Sequence, residues 1–148
     1  KMNTEEIIDF TALEPVIQTL IKKGVAVREY SYSPYSKFKV GAAILCNDGT
    51  IFTGCNVENA SYPVSTCAER TAIVKAVSEG RRNFKALTVI GDQENNFTTP
   101  CGFCRQAIAE FGDITIYLTG PEMKTVLRTT ESSLLPRAFG LGNVEKLH

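Results

Sequence analysis

Ala86-Leu-Thr-Val-Ile-Gly91 is the stretch on which the fold turns. It is short and nearly all apolar, as suits a central strand covered on both faces; a strand with one wet face would alternate. Helical spacing lies on either side of it. Cys67 to Glu79 sets Ile73, Ala76 and Val77 on one face and ends before Gly80, and Cys101 to Phe111 stops at Gly112, so both are expected helices. Upstream, Lys39 to Cys46 and Ile51 to Val57 flank Asp48-Gly49, the mark of an antiparallel hairpin. Leu13, Val16, Ile17, Leu20 and Ile21 predict a first helix from about Ala12 to Arg28. Ile114 to Leu118 is a further buried strand, Lys124 to Arg128 a last, edge strand, and the Leu-Leu-Pro136 segment carries at most a short helix. That order predicts an α/β fold: a three-layer α/β/α sandwich whose mixed, roughly five-stranded sheet has helices on both faces. No repeat or Pro/Ser-rich linker interrupts it, so residues 1–148 read as a single domain.

Composition narrows the chemistry. The chain carries 148 residues, enough for one sizeable core and too few for two comfortable ones. Sixteen basic and sixteen acidic side chains cancel, which argues against a polynucleotide or anionic-membrane binder. No run approaches the roughly 20 apolar residues of a membrane span, and no basic-then-apolar leader opens the sequence. The lone histidine, His148, is the last residue and is expected to have no function; its isolation excludes a Ser-His-Asp triad, a Cys-His dyad and a two-histidine metal site. Five cysteines do not suit a complete disulfide framework, so free or metal-bound thiols in a reducing cytosol are expected.

Three of those cysteines are informatively placed. Cys67 and the Cys101-x-x-Cys104 pair each stand at the expected start of a helix, where unpaired N–H groups and a partial positive charge favour thiolates. Three protein ligands leave a tetrahedral zinc one open position, as in a catalytic site. Taken alone, Cys101 and Cys104 fit a redox pair or a structural zinc site as well as a catalytic one. Cys46 and Cys55 fall within strands and read as hydrophobes. Glu69, two residues after Cys67, is the best-placed general acid/base in a chain without a usable histidine. Arg70 beside it could offset the charge that three thiolates put on the metal.

Thr66-Cys-Ala-Glu-Arg-Thr71 and Pro100-Cys-Gly-Phe-Cys-Arg-Gln106 closely resemble the cytidine deaminase family in its homotetrameric, three-cysteine form. Phe38-Lys-Val-Gly-Ala-Ala43, Gly54-Cys-Asn-Val-Glu-Asn-Ala60 and Leu134-Leu-Pro-x-x-Phe-Gly140 also look like family segments in the family order, so the resemblance spans roughly Tyr30 to Gly140. It implies hydrolytic deamination of cytidine and deoxycytidine, with one zinc per subunit on Cys67, Cys101 and Cys104 and with Glu69 moving the protons. It further implies that Asn56 and Glu58 hold the sugar 3′-OH and that the backbone near Ala68 meets the base amino group. Phe38 would line the base pocket, and Phe139 and Tyr62 would reach a neighbouring subunit's site in a homotetramer. Small nucleosides are the implied partners; a clamped 3′-OH leaves no path for a polynucleotide, and no membrane is involved.

Overall fold

A computed structural model describes residues 5–141; His148 lies outside them. Along the chain run β1 (Glu6–Asp9), α1 (Pro15–Val27), β2 (Val40–Cys46), β3 (Ile51–Cys55), α2 (Ala68–Ser78), β4 (Phe84–Gly91), α3 (Gly102–Ala109), β5 (Thr115–Thr119), β6 (Thr125–Thr130) and α4 (Glu131–Leu134). The strands make one six-stranded sheet in the order β1-β6-β5-β4-β2-β3. β4 and β5 are parallel, and the other pairs are antiparallel, so the sheet is mixed as expected.

The two faces of β4 explain its unbroken apolar run. Leu87 and Val89 join a core cluster with Ala68, Ala72, Ile73 and Ala76 of α2 and Ile108 of α3. Ala86 and Ile90 join another with Leu20 and Ile21 of α1. β2 splits the same way, sending Ala42 and Ile44 to the first cluster and Ala43 and Leu45 to the second. The period-2 side-chain geometry of a strand thus divides one apolar segment between two helical layers. Leu20 and Ile21 are wholly buried, each burial stabilising the fold by roughly 1.5–3 kcal/mol. Thr88, a buried polar residue of β4, satisfies its hydroxyl by donating to the Tyr117 carbonyl at 2.8 Å.

Close approach of α2 to the sheet requires a glycine. A Cβ on Gly54 of β3 would lie 2.6 Å from the Ala68 carbonyl oxygen and 2.5 Å from the Ala72 amide nitrogen. The missing side chain lets the first turn of α2, with Cys67 and Glu69, rest directly on β3.

Two expectations about the edges need correction. β6 is not the edge strand, because β1 pairs outside it with Glu6 opposite Arg128 and Asp9 opposite Thr125. The sheet therefore has one strand more than the sequence predicts. β1 is only Glu6-Ile-Ile-Asp9, and it is mostly exposed, so it shows no run that a core-facing pattern would reveal. The hairpin's second strand ends at Cys55, and Val57 instead makes isolated bridges to Tyr32 and Thr66.

α4 opens on a buried carboxylate. Glu131 is 3% exposed, and neither of its side-chain oxygens has a hydrogen-bond partner. Burial pushes its carboxyl up to about 7; the Arg105 guanidinium opposes the shift and Asp113 adds to it. A carboxyl raised above its ordinary 4.5 contributes stability that is fully present below that value and is lost as pH rises through about 7. Glu131→Gln removes the titration. Its stability relative to the parent should rise by about 2–3 kcal/mol between pH 5 and pH 8, read from urea midpoints at both pH values. A pH-independent difference would contradict the assignment.

Candidate active site

Two helix starts converge on one point. Cys67 is the N-cap of α2 and Cys101 the N-cap of α3, each in an extended backbone conformation beside a helix start whose first N–H groups lack intrahelical partners. Cys104 lies within the first turn of α3 and is fully buried, whereas Cys101 is exposed. The three Sγ atoms lie within 4.8 Å of one another, and those of Cys67 and Cys101 are 3.7 Å apart. Zinc–sulfur bonds of about 2.3 Å at tetrahedral angles would separate two sulfurs by about 3.8 Å. The donor set and its spacing therefore fit zinc. This is also the one group of histidine, cysteine and acidic side chains among the described residues gathered to hold a metal. Cys46 and Cys55, at the ends of β2 and β3, stay apart as free thiols.

The electrostatics favour a negative sulfur at Cys67. The Cys67 thiol is drawn down to about 5, first by a hydrogen bond from Cys104, then by Arg70 and Cys101, against the cost of burial. Cys104 is pushed strongly up, because it keeps the proton that it donates to Cys67. Arg70 donates from Nη2 to the Cys67 sulfur at 3.7 Å, and its guanidinium carbon sits 5.1 Å above the Phe103 ring. Glu69, in the first turn of α2, is 4% exposed. Burial raises its carboxyl to about 7, the Cys67 sulfur adding to the rise. Ala68 is wholly buried between them.

The other expected residues lie on loops that lead to this point. Val57 exchanges backbone hydrogen bonds with Thr66, the residue before Cys67, at 2.9 Å each, and the Glu58 amide donates to the Tyr32 carbonyl at 2.8 Å. The loop between α1 and β2, the end of β3 and the start of α2 are thereby laced together. Asn56 is much occupied: Nδ2 donates to the Phe38 carbonyl at 2.8 Å, and Oδ1 accepts from the Val40 amide at 2.9 Å and from the Ser31 hydroxyl. Glu58 accepts from the amides of Tyr35 and Ser36 at 3.0 and 3.1 Å and from the Ser36 hydroxyl. These donors, the Ser36 hydroxyl foremost, hold its carboxyl below the usual range. Each residue keeps unused capacity, one N–H on Asn56 and further lone pairs on Glu58, of the kind that binds a hydroxyl. Ser31 and Ser36, which brace this pair, had no signal in the sequence beyond an aromatic, serine-rich loop.

Phe38 is half-buried against the core cluster under α2 and α3. Tyr62 is 68% exposed, its ring edge-on to Tyr35 with centroids 5.8 Å apart. Phe139 is 75% exposed.

Comparison with known proteins agrees with this arrangement. The family described as "Cytidine and deoxycytidylate deaminase zinc-binding region" matches residues 15–119. A cytidine deaminase of Sporosarcina psychrophila is 52% identical over 83% of this chain and 90% of that protein. One from Halalkalibacterium halodurans is 48% identical over 82% of this chain and 92% of its own length. The crystal structure of cytidine deaminase from Burkholderia pseudomallei superposes with a TM-score of 0.78 at 46% identity, covering 82% of this chain and 98% of that one.

Proposed function

The chain belongs to the cytidine and deoxycytidylate deaminase family, and from that premise we propose that Cys67, Cys101 and Cys104 hold its zinc while Glu69 moves the protons. The reaction is hydrolytic deamination of cytidine and deoxycytidine to uridine and deoxyuridine, a step of pyrimidine salvage. The observation that carries the residue assignment is the convergence of three sulfurs within 4.8 Å beside a buried carboxylate.

Zinc, when bound, would lower the pKa of its water from far above neutrality to about 7. Glu69 takes the proton released as water oxygen bonds to carbon 4 of the base, and delivers it to ring nitrogen 3. It then carries the remaining proton of that oxygen to the amino group, whose bond to carbon 4 breaks as the carbonyl forms and ammonia leaves. Atoms balance: cytidine plus water gives uridine plus ammonia. Burial of Glu69 keeps bulk water from competing for that proton. Arg70, donating to the Cys67 sulfur, drains negative charge from the thiolates and so leaves the metal more electrophilic.

Asn56 and Glu58 clamp the sugar 3′-OH, Phe38 lines the base pocket, and the Ala68 backbone meets the amino group. A 3′-OH clamp leaves the 2′ position unread, in keeping with both nucleosides as substrates. Residues 1–148 act as one domain, and four copies form a homotetramer in which Phe139 and Tyr62 complete neighbouring sites. The support is that these aromatics project from the subunit with most of their surface uncovered. No helix among the described residues is long and apolar enough to cross a membrane. Three thiol ligands call for a reducing compartment, which supports the cytosol.

The test is direct. Zinc-loaded protein should convert cytidine and deoxycytidine, followed by the ultraviolet change of cytosine to uracil with one ammonia released per turnover, and chelation should stop it. A fully zinc-loaded protein without turnover on either nucleoside would overturn the reading.

A further inference from the structure

α3 carries more than the two cysteines at its start. Of the next two residues, Arg105 reaches the end of α4 and Gln106 the segment that follows it. Arg105 donates from Nε to the Pro100 carbonyl and from Nη1 to the Leu134 carbonyl, each at 2.7 Å. Gln106 clasps Phe139 on both sides of its backbone. Its Nε2 donates to the Phe139 carbonyl at 2.9 Å, and its Oε1 accepts the Phe139 N–H at 3.3 Å. Between the two clasps Arg137 adopts a left-handed φ of 56°, which turns the segment back toward α3.

Holding both the N–H and the C=O of one residue fixes the direction of its Cα–Cβ bond while leaving the side chain free. The Phe139 ring is left 75% exposed and belongs to neither core cluster. The clasp therefore orders an aromatic side chain that packs into neither core. Glutamine suits the task because its amide supplies donor and acceptor from one rigid plane; glutamate lacks the donor and lysine the acceptor.

We propose that Gln106 is the positioning residue for Phe139, presenting its ring to the nucleoside site of a neighbouring copy and thereby setting substrate affinity. The inference rests on the role given to Phe139 above. It also means that one helix serves two sites: its first turn holds zinc ligands for its own subunit, and the adjacent position aims an aromatic at another. A residue that only places a binding group acts on ground state and transition state alike, so its loss raises KM and leaves kcat.

The experiment compares zinc-loaded Gln106→Leu, Phe139→Ala and the double variant on cytidine, with zinc content measured and hydrogen exchange followed at the residue 139 amide. Gln106→Leu should raise KM by about five- to twenty-fold with kcat within about two-fold of the parent. Zinc content should be unchanged and the Phe139 amide should exchange faster. The double variant should match Phe139→Ala alone in KM, because Gln106 acts through that ring. If Phe139→Ala raises KM and Gln106→Leu does not, the positioning role is wrong and the role of Phe139 stands. If Phe139→Ala leaves KM unchanged, the role of Phe139 falls and the inference with it. A further KM increase from Gln106→Leu in the Phe139→Ala background, or loss of zinc, would likewise overturn it. Gln106→Glu, which replaces the donor by a charged acceptor facing the Phe139 carbonyl and keeps the side chain's length, reads the same outcomes should Gln106→Leu fail to fold.

Discussion

Glu69→Gln should lower kcat on cytidine by about three orders of magnitude, within the 10²–10⁴ range of positioned proton transfer. The amide is nearly isosteric with the carboxyl, and the site is 4% exposed, so the first turn of α2 should keep its shape. Zinc content should therefore stay at one per subunit, because the proposed ligands are Cys67, Cys101 and Cys104. What the amide loses is the capacity to take a proton and hand it on, and the described residues include no histidine to substitute. The measurement is the ultraviolet rate alongside metal analysis of the same preparation. Activity within ten-fold of the parent, with zinc retained, would show that another group moves the protons. Loss of zinc together with activity would instead make Glu69 part of the metal's support.

Cys104→Ser should empty the site. Cys104 is the wholly buried member of the proposed ligand set, and a serine hydroxyl is a far poorer zinc ligand than a thiolate. Zinc content should fall from one per subunit to nearly none after dialysis, and turnover should fall below detection. Thermal stability supplies a readout independent of activity. A metal that binds only the folded state adds its binding free energy to folding, so chelation should lower the parent's midpoint while leaving that of Cys104→Ser unmoved. Cys55→Ser is the matched control: Cys55 is half-buried at the end of β3 and away from the other sulfurs, so that variant should keep its zinc. Full zinc content in Cys104→Ser would overturn the ligand assignment. The design also separates the redox reading of the Cys101–Cys104 pair, which would make Cys67 dispensable. The structure weighs against that reading by setting the Cys67 sulfur 3.7 Å from that of Cys101.

The core was readable where burial imposes a pattern. Ala86 to Gly91 of β4 had to be nearly all apolar because helices cover both its faces, and α1 showed its stripe because only one face is buried. β1 escaped because four largely exposed residues join the sheet chiefly through backbone hydrogen bonds, which leave little trace in side-chain identity. The substrate loops were readable in type but not in wiring. Asn56 and Glu58 could be named as hydroxyl binders only by resemblance. That the same side chains also brace the loop carrying Phe38 became visible only from their bonds to Ser31, Ser36 and the backbone.

Cys67, Glu69 and the Cys101–Cys104 pair were named by short-range rules: a thiol at a helix start, a carboxylate within the same turn, two thiols three residues apart. Such rules operate over a few residues and are written in the local order of side chains. Bringing Cys67 to Cys101 across 34 positions depended on β2, β4 and β5 stacking side by side, and on Gly54 letting α2 settle on the sheet. The clasp of Gln106 on Phe139, 33 positions away, is likewise a product of the folded chain. It joins a side chain to a backbone, and any residue at position 139 other than proline would offer the same N–H and C=O.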